Sequence, residues 1–129
     1  MTSRTVLVVE DDEDILSLVT KRLRLDGYDV IEARDGEEGL ELAREQKPSI
    51  AILDLGLPGI DGLEVLRGIR ADAELRGMIV VLLTARAQEA DVRRGFEGGA
   101  DAYVRKPFSP TKLSESVSEL VKRQASGGA

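Results

Sequence analysis

The chain has 129 residues, 42% of them hydrophobic and 13 more glycine, which suits one compact core and is too short for two ordinary domains. It has no cysteine and no histidine, which excludes disulfides, thiolate or imidazole metal ligands and the commonest general base, so any metal must be held by oxygen. The net charge of −6 argues against general nucleic-acid binding. Residues 1–64 carry a net −9 and residues 65–129 a net +3, so a cation belongs with the first half.

The opening Met1-Thr2-Ser3-Arg4 shows no apolar signal core, and no apolar run approaches a membrane span, so a cytoplasmic protein without a membrane partner is expected. The first β-branched run, Thr5–Val9, reads as a strand and is followed by Glu10, Asp11 and Asp12. Ile15, Leu16, Val19 and Leu23 then recur at helical spacing up to Gly27-Tyr28. A second strand is expected at Asp29–Ala33, and a second helix that stops at Lys47-Pro48. The third strand, Ile50–Leu53, leads into Asp54; the fourth, Met78–Leu83, into Thr84; the fifth, Ala102–Val104, towards Lys106. Ser109-Pro110 supplies a cap and a first-turn proline for a fifth helix carrying Leu113, Val117, Leu120 and Val121. Residues 1–124 form the expected domain, and Ala125–Ala129 is a small-residue tail expected to be disordered.

Strands that are apolar almost throughout, alternating with helices, imply a parallel sheet covered on both faces; a mixed α+β sheet is the alternative. In such a sheet ligands bind at the carboxyl ends of the strands. The residues there are Glu10, Asp11, Asp54, Thr84 and Lys106, a carboxylate pocket flanked by a hydroxyl and an ammonium. Carboxylates about 4 Å apart repel by roughly 4 kcal/mol at an effective dielectric near 20, and a small divalent cation relieves this. A carboxylate beside Mg²⁺ is a suitable phosphoryl acceptor, and Asp54 is the natural nucleophile. Taken alone, Glu10 to Asp14 also reads as an acidic helix start.

Four blocks resemble the signatures of response-regulator receiver domains: Val6 to Asp12, Leu53 to Gly62, Leu83 to Ala85 and Gly99 to Phe108. The resemblance covers residues 4–123 and implies a flavodoxin-like, doubly wound five-stranded parallel sheet of order 2-1-3-4-5 with five helices. It implies that a histidine kinase or histidine phosphotransfer protein phosphorylates Asp54. Glu10, Asp11, Asp54 and the Gly56 carbonyl would hold Mg²⁺, and Glu10 stands where many members carry Asp. Thr84, Lys106 and the amides of Gly56 and Ala85 would contact the phosphoryl group, with Lys106-Pro107 cis. Tyr103 matches the aromatic switch that, with Thr84, passes the state to the fourth helix, fifth strand and fifth helix, where a downstream protein docks. Ala102, Lys112 and Ser116 replace the charged residues that build dimers in DNA-binding members, so a monomer or weak dimer is expected. Gly56 and Arg86 would sit at the pocket rim and govern phosphoryl lifetime, Gly56 alternatively serving only a backbone need.

Other functions fit less well. A haloacid-dehalogenase-type phosphohydrolase needs an acid two residues after its nucleophile, where Gly56 has none, so only self-phosphotransfer and self-dephosphorylation are expected, not enzymatic turnover. A flavin carrier would need aromatic rings, and the chain has two Tyr, two Phe and no Trp. A receiver without its chemistry would lack the acidic, Thr and Lys positions that are all filled here.

Overall fold

The computed structural model describes residues 4–85, 93, 94 and 96–127. Five parallel strands, β1 (Thr5–Val9), β2 (Asp29–Ala33), β3 (Ile50–Asp54), β4 (Ile79–Thr84) and β5 (Ala102–Arg105), form one sheet of order 2-1-3-4-5. The described helices are α1 (Glu13–Leu25), α2 (Gly36–Gln46), α3 (Gly62–Ala71) and α4 (Pro110–Gly127). The expected fourth helix falls largely on residues outside those described, although 93, 94, 96 and 97 are helical, so α4 is the helix expected as the fifth. It runs to Gly127, past the expected boundary at 124.

Period-two alternation along the strands builds two cores. Leu7, Val9, Ala51, Leu53, Val80 and Leu82 face Ala43 of α2 and Val65, Leu66 and Ile69 of α3. Val6, Val8, Ile50, Ile52, Val81 and Leu83 face Leu16, Val19 and Leu23 of α1 and Leu113 and Val117 of α4. Burying each such side chain contributes roughly 1.5–3 kcal/mol, so a one-residue slip of a central strand would exchange every partner. β3 and β4 are buried throughout because both faces are covered and both edges paired.

The caps follow from local chemistry. Asp12 accepts from Asp14 N and Ile15 N, Asp35 from Glu38 N, and Asp61 from Glu64 N, each satisfying orphan amides at a helix start. Ser109 Oγ does the same for Lys112 N at 3.1 Å, with Pro110 in the first turn. Strand order reverses between β1 and β3, and the crevice at their carboxyl ends is where the site forms.

Candidate functional site

Four expected strand bounds shift by one residue: Asp54 ends β3 and Thr84 ends β4 rather than lying just beyond them, β4 begins at Ile79 rather than Met78, and β5 ends at Arg105 rather than Val104. Both are buried, and Glu10 is fully buried, its amide continuing the sheet by donating to Ala33 O at 3.0 Å. The acidic run therefore divides its labour. Glu10 turns inward, Asp12 caps α1, and Glu13 and Asp14 lie in the first turn, where the helix dipole favours negative charge.

Lys106 closes the pocket. Its amide donates to Thr84 O at 2.7 Å, extending the β4–β5 ladder. Its Nζ lies 2.8 Å from Glu10 Oε1 and 3.3 Å from Asp54 Oδ2. The Lys106-Pro107 peptide is cis. Asp54 Oδ1 accepts the Gly56 amide at 3.1 Å, and Glu10 Oε2 accepts the Asp12 amide at 3.2 Å. One carboxylate oxygen each from Glu10, Asp11 and Asp54 lie within 4.8 Å of one another.

The electrostatics reflect crowding. Burial pushes the Glu10 carboxyl up to about 7, and the Asp54 charge adds to this against the opposing pull of Lys106 and the Asp12 amide. Burial works against the Lys106 ammonium, yet Glu10 and Asp54 together raise its pKa. Although Glu10 Oε1 is within ionic reach of Lys106, it has no well-directed hydrogen bond. A buried oxygen left so, beside two more carboxylates, fits a hard, oxygen-seeking cation such as Mg²⁺.

Gly56 is exposed, its φ is not positive, and a Cβ there would meet only the Asp54 carboxylate oxygens at 3.8 and 3.9 Å. Neither backbone conformation nor crowding requires glycine at this position, and the reading of Gly56 as a backbone need alone is corrected. Ala85 follows Thr84 and is exposed. Arg86 lies outside the described residues. Tyr103 is half-exposed on β5.

Sequence reasoning missed an apolar hollow of about 360 Å³ beside Lys106, bordered by Ile15, Leu18, Ala85, Pro107, Phe108 and Pro110. Its signal was present in Leu18, a large apolar residue outside the buried stripe of α1 and 55% exposed.

A family model for the response regulator receiver domain matches residues 6–118. The chain is 40% identical over 121 residues to the alkaline phosphatase synthesis transcriptional regulatory protein PhoP of Bacillus subtilis, covering 94% of this chain and 50% of that protein. It is 42% identical over 118 residues to the DNA-binding response regulator MtrA of Mycolicibacterium smegmatis, covering 92% and 50%. The chain thus spans about half the length of these relatives. Their names mark them as transcriptional or DNA-binding regulators, so the expectation of no nucleic-acid partner finds no support in them. Among solved structures, a CheY-like receiver domain from Methanospirillum hungatei superposes with a TM-score of 0.92 at 29% identity, covering 98% of this chain and 99% of that one. The BeF3-activated DrrB receiver domain superposes at 0.84 and 34%, covering 95% and 100%.

Proposed function

Because the chain belongs to the response-regulator receiver domains of two-component signalling, we propose that it is a phosphorylation switch whose acceptor is Asp54. The observation that carries this reading is the buried Asp54 carboxylate, held by the Gly56 amide on one oxygen and facing Lys106 Nζ from the other. A carboxylate so fixed is oriented for in-line attack, and positioning with charge neutralisation supplies most of phosphoryl-transfer catalysis.

The donor is a phosphohistidine of a kinase or phosphotransfer protein. Asp54 Oδ attacks phosphorus, an O–P bond forms, the P–N bond breaks, and the imidazole leaves with the electron pair and takes up a proton. Lys106 moves with the developing charge from Asp54 to a phosphoryl oxygen, while Thr84 and the amides of Gly56 and Ala85 receive the others. Glu10, Asp11, Asp54 and the Gly56 carbonyl would hold Mg²⁺, whose role is to neutralise charge on the carboxylates and the transferred group. The apolar hollow beside Lys106 gives the donor protein a seat next to the acceptor. No residue two places after Asp54 can act as an acid, so the domain transfers phosphate to itself and returns it to water without turning over external esters. Thr84 and Tyr103 relay the state to the β5–α4 side, where a downstream protein docks.

Incubation with acetyl phosphate and Mg²⁺ followed by intact mass tests the proposal. One added phosphoryl group is expected in the wild type and none in Asp54→Asn; equal incorporation by both proteins would refute Asp54 as acceptor.

A further inference from the structure

Phe96 meets Tyr103 edge to face, with ring centroids 5.6 Å apart and planes at 75°. Both rings are substantially exposed, Phe96 at 48% and Tyr103 at 36%, so the contact is not part of either core. Aromatic pairs in this geometry attract through their quadrupoles beyond simple burial.

The backbone between the two rings is anchored. Gly99 adopts φ +99° and its amide donates to Phe96 O at 3.1 Å, while Gly98 N donates to Arg94 O at 2.8 Å, closing the helical turn that carries Phe96. Arg70, in the last turn of α3, donates to Gly99 O from Nε at 2.9 Å and from one terminal nitrogen at 2.7 Å. The same guanidinium reaches Asp101 at 3.2 Å, and Asp101 in turn accepts the Val80 amide at 2.8 Å. Gly99 to Asp101 is thus tied to both α3 and β4. Phe96 and Tyr103 are arms on either side of this fixed point, and their meeting does not depend on a loose loop.

Tyr103 is paired in register with Leu82, and alternation puts Thr84 on the same face of the sheet two residues further on. The tyrosine ring therefore has two neighbours to choose between, Phe96 outside and Thr84 towards the acceptor. We propose that Phe96 is the stop against which Tyr103 rests before phosphorylation, so that the strength of this one ring contact sets how much of the protein occupies the active arrangement. The inference rests on reading Tyr103 as the switch. Removing the stop leaves a hole in neither core, so folding survives while the resting population shifts towards activity.

The experiment uses 3-fluorotyrosine in a Tyr28→Phe background, which leaves Tyr103 as the sole fluorinated reporter in a chain with two tyrosines. Its resonance is followed as beryllofluoride, a phosphoryl mimic, is titrated with Mg²⁺ into the wild-type, Phe96→Ala and Phe96→Trp backgrounds. The apparent affinity reports the population of the competent state and is unaffected by the direct loss of a neighbouring ring current. Phe96→Ala is expected to bind roughly two- to tenfold more tightly, the range one such ring pair supports, and Phe96→Trp, which keeps an aromatic ring without adding a labelled tyrosine, to return towards wild-type affinity. Equal affinities in all three, with a Tyr103 resonance that moves on saturation, would overturn the stop and leave the relay standing. A resonance that ignores saturation in the wild type, where binding is seen by the bound fluoride signal, would overturn the relay and the stop with it.

Discussion

Gly62→Ala should damage both the fold and the acceptor, because a Cβ at position 62 would lie 2.5 Å from the carbonyl oxygen of Asp54 and 3.1 Å from its carbon. These are backbone atoms and cannot rotate away. Close carbon–oxygen contacts in proteins begin near about 3.3 Å, so about 0.8 Å of separation must be found by moving the first turn of α3 or the end of β3. Overpacking of this kind costs about 1–3 kcal/mol, against a helix-propensity gain of at most about 1 kcal/mol from replacing glycine by alanine. Even with the whole propensity gain subtracted, a net loss of up to about 2 kcal/mol follows, which with a urea dependence of roughly 2 kcal/mol per molar lowers the midpoint by up to about 1 M. Since the displaced atoms belong to Asp54, formation of the aspartyl phosphate from acetyl phosphate should slow by at least about tenfold. Gly77→Ala is the control: its Cβ would meet nothing within 4 Å and its φ is not positive, so stability should hold or rise slightly. A Gly62→Ala protein that melts in urea with the wild type and is phosphorylated at the wild-type rate would refute the reasoning.

Mg²⁺ at millimolar concentration should raise the melting temperature, and an Asp11→Asn, Asp54→Asn double mutant should melt higher without metal yet lose the response; an undiminished response in the mutant would place the cation elsewhere. The Glu10 carboxyl, raised from 4.5 to about 7 by burial, binds its proton more tightly folded than unfolded. Its contribution is therefore full below about pH 4.5 and lost as pH rises through 7, at most about 3 kcal/mol. Urea midpoints of the metal-free protein should fall across that window, and Glu10→Gln should remove that part of the slope. Gly56→Asn, which puts an amide beside the Asp54 carboxylate in open space, should change the aspartyl-phosphate half-life at least about twofold without preventing phosphorylation; an unchanged half-life would show that this wall does not gate water.

Much of this architecture was legible. The bounds of β1 and β2 match the expected strands residue for residue, and the nearly unbroken apolar composition of β3 and β4 marked them as buried on both faces. What escaped were contacts made across long stretches of chain. Nothing near Arg70 in sequence announces that its guanidinium will cap carbonyls of residues 76, 78 and 99, because those partners are backbone atoms common to every residue. Gly36 and Gly62 look like ordinary Asp-Gly turns. Each is instead the first residue of a helix pressed against another backbone, Gly36 with a Cβ position 2.2 Å from Ile60 O.

The division of the site between the two faces of the sheet was also readable in principle, by carrying strand parity past the core. Val6 and Val8 lead to Glu10, Ile50 and Ile52 lead to Asp54, and Val104 leads to Lys106, all in the set that packs against α1 and α4. Sheet hydrogen bonds continue through Glu10 and Lys106, so the alternation does not lapse before it reaches them. The three groups that share the buried charge therefore project from one face and meet over the reversal between β1 and β3. Val80 and Leu82, by contrast, lead to Thr84 on the opposite face, where register also places Tyr103. On the proposed relay, a hydroxyl that answers both to charge at Asp54 and to a ring on β5 is held on the strand between them, with strand alternation placing it on the ring's side. That placement follows from where apolar residues fall in β4: shifting the run by one residue would turn Thr84 towards α1 and break any path to Tyr103, whatever chemistry remained at Asp54.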